Sequence, residues 1–221
     1  MSGPPPGRLV RFRFAERLMH GAVSLSYVYL LLTGLAFWTP ALYWIAIVLG
    51  GGFLTRLLHP WVGVVFAVCV GWMIATWRRD MRTTDADRVW RRAMRSYVAN
   101  DDARVPAAGR FNYGQKIMFR VMVGGAALLL ASGLVLWWPD AFGAASFHAV
   151  RQAAILIHAI AALATIGVFI VHLYMALAVV PGGLHAILHG EVTEGWAREH
   201  HRLWAEEMSR TVSTGDRDHE H

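Results

Sequence analysis

Residues 146–180 read SFHAVRQAAILIHAIAALATIGVFIVHLYMALAVV, and Arg151 is the one charged residue among them. A helix crosses the roughly 30 Å hydrocarbon core of a bilayer with about 20 apolar residues, so this run is long enough to span. Three further stretches lack Asp, Glu, Lys and Arg: Arg17 to Arg56, Arg56 to Arg78, and Arg120 to Asp140. Charged residues make up only 16% of the 221-residue chain and hydrophobic ones 56%, against about 25% charged in an ordinary soluble domain. The expected fold class is an all-α integral membrane protein, a four-transmembrane-helix bundle.

Working outward from that run, the spans are placed at about 17–38, 57–77, 115–138 and 146–180. Thr39-Pro40 ends the first, Pro139 closes the third, and Pro181-Gly182-Gly183 stops the fourth. Residues 1–16 read as a disordered N-terminal arm; 41–53 are apolar but interrupted by Gly50-Gly51-Gly52, which suggests a short interfacial or re-entrant piece. The 78–114 segment is the one sizeable polar connection, with helical potential over Ala86–Val98 and a break near Pro106. Residues 181–221 are expected to carry an amphipathic surface helix over Leu184–Met208, anchored by Trp196 and Trp204, and then a disordered tail. The chain is read as free of internal repeats. The first sixteen residues are rich in Pro, Gly and Arg, so a cleaved signal peptide is not expected.

The net charge of +6 follows membrane topology, not nucleic-acid binding. Of 21 Lys and Arg residues, 19 lie before the first span, in or beside the middle segment, or after the last span, leaving Arg56 and Arg151 for the other side. The positive-inside rule then places both termini and the 78–114 loop in the cytoplasm. The single cysteine, Cys69, lies in an apolar run; it allows no disulfide or c-type haem attachment and reads as a core residue.

Ionisable residues inside spans are rare and mark function. Four histidines qualify: His20, His59, His158 and His172. His158 and His172 are 14 residues apart on the fourth helix, a rotation about 40° short of four turns, so both project from nearly one face, roughly 21 Å apart along the axis. His20 starts the first helix on the cytoplasmic side and His59 starts the second on the outer side. The depths pair His59 with His158 outside and His20 with His172 inside. Two stacked bis-histidine sites suit two b-type haems, whose iron takes imidazole ligands from facing helices. A zinc ion needs its ligands within about 2.1 Å, which a 21 Å separation forbids. Gly21, Gly34, Gly63, Gly71, Gly133 and Gly167 leave room for a ring or a neighbouring helix, and Arg13, Arg17 and Arg56 fall near the expected haem edges. His148, His185, His189, His200 and His201 lie at or beyond the membrane ends, and the i, i+4 pair His185/His189 reads as a solvated face before a metal site.

Several short stretches share order and spacing with a known family: Arg17-Leu18-Met19-His20, Leu31-Leu32-Thr33-Gly34, Arg56-Leu57-Leu58-His59-Pro60, Asn112-Tyr113-Gly114-Gln115-Lys116, His172-Leu173-Tyr174-Met175, Gly190-Glu191-Val192-Thr193-Glu194, Trp196-Ala197 and His200-His201. From about Phe12 to Trp204 the chain resembles the cytochrome b (gamma) subunit of membrane-bound respiratory formate dehydrogenases, a di-haem four-helix family. The resemblance implies the same four haem-iron ligands in the same pairs. It also implies a quinone site, for menaquinone or ubiquinone, lined by Asn112, Gly114 and Gln115 beside His172. A quinone carbonyl needs a hydrogen-bond donor, which Asn, Gln and Lys side chains supply. Arg120 departs from the family, where an aromatic residue is expected.

The implied function is an electron-transfer subunit of an inner-membrane oxidoreductase complex. Electrons would pass from an iron–sulfur beta subunit on the outer face, through two haems b, to a quinone near the cytoplasmic face. A molybdenum or tungsten alpha subunit would oxidise formate, for which this chain carries no site. Two alternatives stay open: the cytochrome b of a hydrogenase or other molybdenum oxidoreductase, and a haem-free anchor or transporter. The spans lack Asp and Glu, which disfavours an ion pathway.

Overall fold

The computed structural model describes residues 7–98, 106–138 and 147–218. Four long apolar helices form the framework: α1 (Phe14–Trp38), α3 (Gly52–Trp77), α6 (Tyr113–Trp137) and α7 (Phe147–Tyr174). A π-helical turn over Met175–Val179 extends α7. All four helices are long and apolar enough to cross a membrane, and only 11–22% of each apolar window is buried inside the protein. Leu25 (76% exposed), Val68 (68%) and Ile160 (65%) typify the outward side chains. An apolar surface this continuous is suited to lipid, and helices satisfy their own backbone polar groups there. The four helices match the expected spans to within a turn or two at each end. Pro139 and Ser146, expected to bound the third and fourth spans, lie outside the described residues.

The chain divides into two compact units. One comprises Leu18–Thr76 and Arg120–Val171. Its core joins all four long helices through Tyr27, Phe66, Val70 and Ala126, with Phe169 packed against them. Tyr27 meets Phe66 at 5.9 Å and Phe169 at 5.1 Å between ring centroids. The expected interfacial piece is a 3-10 turn (Pro40–Leu42) leading into α2 (Tyr43–Val48). Its Ile45 and Ala46 bury against Ala36 of α1, and Gly50 and Gly51, both at positive φ, turn the chain into α3.

The second unit comprises residues up to Arg17, Trp77–Phe119, and His172 onward. It contains α4 (Asp85–Arg92), α5 (Met94–Val98), α8 (Gly183–His189), α9 (Glu194–His200) and α10 (Arg202–Asp218). Two expectations change here. The N-terminal arm is not wholly irregular: β1 (Arg8–Val10) pairs antiparallel with β2 (Glu191–Thr193), Leu9 opposite Val192. The C-terminal amphipathic helix is three helices interrupted by β2, and α10 continues through much of the stretch expected to be a disordered tail. Gly190 causes the interruption: its φ is +86°, and its carbonyl accepts from the N–H groups of Arg11 and Phe12 at 2.8 and 3.1 Å. The strand pair closes over Ala186, Val192, Ala197, Trp204 and Ala205.

Arg11 and His201 are buried in this unit, at 3% and 2% exposure. The Arg11 guanidinium stands over the rings of Phe12, Trp196 and Trp204 at 5.1–5.3 Å. Its Nη2 donates to the Arg110 carbonyl and to His201 Nε2, both at 2.9 Å, so His201 carries its proton on Nδ1 and donates it to the Gly109 carbonyl at 2.7 Å. Burial and the nearby Arg110 lower Arg11 to about 9, which leaves it protonated at neutral pH. Burial first, and then the Arg11 charge, hold His201 well below the usual 6.5. The unfolded chain takes up this proton near pH 6.5 and the folded chain does not. Stability is therefore flat above pH 6.5 and falls below it, by at most about 1.4 kcal/mol per pH unit for one group. Thermal unfolding of the detergent-solubilised protein should lose midpoint between pH 6.5 and 5.5. His201→Gln should flatten that slope, and an unchanged slope in the variant would refute the assignment.

Candidate functional site

Of the four intramembrane histidines, the structure brings His59 and His158 face to face. Their ring centroids are 6.4 Å apart with planes tilted by 58°. Metal–imidazole nitrogen bonds are about 2.0–2.1 Å and the ring radius is about 1.1 Å, so two imidazoles sharing one ion from opposite sides stand roughly 6.3 Å apart. The observed spacing fits an iron held between two Nε2 atoms.

The hydrogen bonds behind the rings point the same way. His59 Nδ1 lies 2.6 Å from Thr33 Oγ1, and His158 Nδ1 lies 2.9 Å from Ser132 Oγ. Each hydroxyl has one proton, and each already faces carbonyls of its own helix: Tyr29 at 2.9 Å for Thr33, Leu128 at 2.6 Å for Ser132. With those protons given to the helix carbonyls, the imidazoles donate from Nδ1 and keep both Nε2 lone pairs available. Phe37 packs edge-on to His59 at 5.4 Å. Beside Phe37 a cavity of about 550 Å³ is lined by Ala36, Phe37, Thr39, Pro40, Tyr43 and Arg56.

Thr33 and Ser132 have no place among the sequence-derived candidates, yet a signal for them exists. Residues 30–40 read LLLTGLAFWTP and residues 129–139 read LLASGLVLWWP, identical at six of eleven positions. The offset is 99 residues, and it also carries His59 onto His158. The chain thus contains an internal repeat after all. The glycine following each hydroxyl residue lies against the ring: a Cβ on Gly133 would stand 3.4 Å from His158 and one on Gly34 4.0 Å from His59, both ordinary contact distances. Nothing lies within 4 Å of such a position at Gly21, Gly63, Gly71 or Gly167.

His20 sits on α1 and His172 near the end of α7, in different compact units. His20 Nδ1 has Ser24 Oγ of its own helix at 3.4 Å. Arg17, expected near a haem edge, instead donates to the carbonyls of Ile187 (3.2 Å) and Leu188 at the end of α8.

Asn112 and Gln115 form a reciprocal cap at the start of α6. Asn112 Oδ1 accepts from the Gln115 N–H at 2.9 Å, and Gln115 Oε1 accepts from the Asn112 N–H at 3.0 Å. Both side-chain oxygens are engaged in this cap. Gly114 lies under Trp90, whose ring would stand 3.4 Å from an added Cβ. Lys116 is committed elsewhere: its Nζ donates to Asp87 Oδ2 at 2.7 Å and to the Arg82 carbonyl at 2.9 Å.

Residues 11–190 match the family model of the prokaryotic cytochrome b561. The chain belongs to that family. Among curated relatives of this cytochrome, the formate dehydrogenase cytochrome b556(fdo) subunit of Escherichia coli K12 is 35% identical over 205 residues, covering 92% of this chain and 95% of the relative. The nitrate-inducible formate dehydrogenase cytochrome b556(Fdn) subunit of the same organism is 28% identical over 202 residues, 91% and 92% of the two chains. The formate dehydrogenase cytochrome b556 subunit of Haemophilus influenzae is 28% identical over 201 residues, 90% of this chain and 83% of the relative. Membership and the four apolar helices make this protein an integral membrane b-type cytochrome, a family that carries b-type haem.

Proposed function

We propose that this cytochrome is the di-haem membrane subunit of a formate dehydrogenase complex of the bacterial inner membrane, with both termini cytoplasmic. It carries electrons from an iron–sulfur subunit on the outer face to menaquinone or ubiquinone near the cytoplasmic face. The observation that carries the reading is the outer pair: two imidazoles at the spacing of a shared ion, each with Nδ1 turned away onto a hydroxyl. Bound b-type haem supplies a reversible one-electron carrier whose potential the protein sets through its ligands and their hydrogen bonds. His59 and His158 hold the outer iron, and His20 and His172 the inner one. Arg56, which lines the cavity beside Phe37, would pair with an outer propionate. The formate assignment and the partner subunits, iron–sulfur beta and molybdenum or tungsten alpha, come from the relatives' names and from the family resemblance.

At the cytoplasmic end, Asn112, Gly114 and Gln115 would line the quinone site, as the family resemblance implies. Asn112→Leu and Gln115→Leu should each reduce quinone-dependent turnover at least tenfold while leaving the b-type absorbance and its reducibility by dithionite in place. Unchanged turnover in both would remove the quinone assignment. For the whole reading, membranes containing the intact complex should show b-type absorbance reduced by formate and not by hydrogen. Reduction by hydrogen alone would overturn the formate assignment.

A further inference from the structure

The hydroxyl–histidine contact is built twice, by the two arms of the internal repeat. Thr33 and Ser132 are almost fully buried, at 0% and 5% exposure. Each lies 26 residues before its histidine, and each is followed by a glycine in van der Waals reach of the imidazole. The inner histidines stand outside the repeat, because the positions 99 residues away from His20 and His172 are Phe119 and Met73. The repeat therefore places its hydroxyl on the neighbouring helix at the outer pair, whereas the hydroxyl near His20 Nδ1, Ser24 Oγ at 3.4 Å, comes from the same helix as the histidine.

We propose that Thr33 and Ser132 are positioning residues that hold His59 and His158 in the Nδ1–H tautomer and, by accepting that proton's hydrogen bond, set the potential of the outer haem below what unassisted ligands would give. The proposal rests on the ligand assignment above. An acceptor behind Nδ1–H makes Nε2 a more basic donor, which favours the ferric ion over the ferrous one. It also fixes the rotation of each ring, because the hydroxyl is itself anchored to a helix carbonyl at 2.9 Å in Thr33 and 2.6 Å in Ser132. Neither hydroxyl touches the iron; each acts through its histidine. A lowered outer potential suits transfer inward, since the carrier that receives electrons first then passes them on downhill.

The test is a redox titration of the b-type absorbance in the purified haem-loaded complex, with low-temperature EPR of the oxidised form. Thr33→Val and Ser132→Ala should each raise the midpoint of one haem, the one that His59→Ala removes, and leave the other unmoved. A tenfold loss of ferric-over-ferrous preference is within the 10–100-fold range of such outer contacts, and corresponds to a rise of about 59 mV for a one-electron couple. The same variants should alter the EPR signal of that haem alone, and Thr33→Ser should restore both readouts. Unmoved midpoints, equal shifts in both haems, or a Thr33→Ser protein behaving like Thr33→Val would overturn the proposal. So would loss of the outer haem in Thr33→Val combined with an unshifted Ser132→Ala protein. Two haems persisting in His59→Ala would instead overturn the ligand assignment on which it rests.

Discussion

On the proposed di-haem reading, replacing His158 by alanine should leave one b-type haem per chain instead of two, and His59→Ala should remove the same one. The two imidazoles have centroids 6.4 Å apart, and each Nδ1 lies within hydrogen-bond distance of a hydroxyl. Losing either nitrogen would leave the iron held by one protein ligand where the pair would supply two. The double variant should be no worse than either single one, since two residues acting on one iron do not contribute additively. His172→Ala should remove the other haem and leave the outer one spectroscopically intact. Full haem content in His158→Ala, or different haems lost in the two outer variants, would contradict the pairing.

The second large effect is on stability and lies at Asp87 and Lys116. Their side chains are each 5% exposed and meet at 2.7 Å. The same Asp87 oxygen accepts from the Thr84 N–H and hydroxyl at 2.7 and 3.0 Å, which caps α4. Burial alone would raise the Asp87 carboxyl; the hydrogen bonds from Lys116 and Thr84, with the lysine charge, hold it below 3.8 instead. A carboxylate lowered in this way contributes its stability above the unfolded value and loses it only as pH falls below about 3.8, so at neutral pH the contribution is complete. Asp87→Ala or Lys116→Ala leaves one buried charge without its partner, a loss of about 3–5 kcal/mol. On the scale of soluble domains of this size, that lowers the thermal midpoint by on the order of 10 °C. Replacing both together, Asp87→Leu with Lys116→Met, should recover most of the loss. Single variants that unfold at the parental temperature would contradict the account.

How much of this was legible in the sequence depends on the kind of signal. The four spans and the two histidine depths follow from uncharged run length and helical rise, which are one-dimensional quantities. The chain reads them out directly. The N-x-x-Q spacing at Asn112 and Gln115 was visible too, as a polar helix start. The pairing of β1 with β2 was not, because Arg-Leu-Val and Glu-Val-Thr are too short to show an alternating pattern and lie some 180 residues apart. Gly190 broke the expected C-terminal helix for a reason lodged in the other end of the chain, where Arg11 and Phe12 need its carbonyl. In the sequence His201 reads only as a histidine at or beyond a membrane end, and its task comes from the two nitrogens lying between Arg11 and the Gly109 carbonyl. Lys116 belonged by resemblance to a quinone-facing cluster, and the long-range ion pair with Asp87 gives it a different task. The repeat was in the sequence throughout, but its matching halves span only eleven residues each, and their meaning lies in the histidines that follow 26 residues after the hydroxyls.

The feature that organises the whole account is the pair of histidine levels in the membrane. The most direct measurement is the haem-to-polypeptide ratio of the purified complex, taken with a potentiometric titration of its reduced-minus-oxidised absorbance. The account predicts two b-type haems per chain with two resolvable midpoints. One haem per chain, or none, would contradict it.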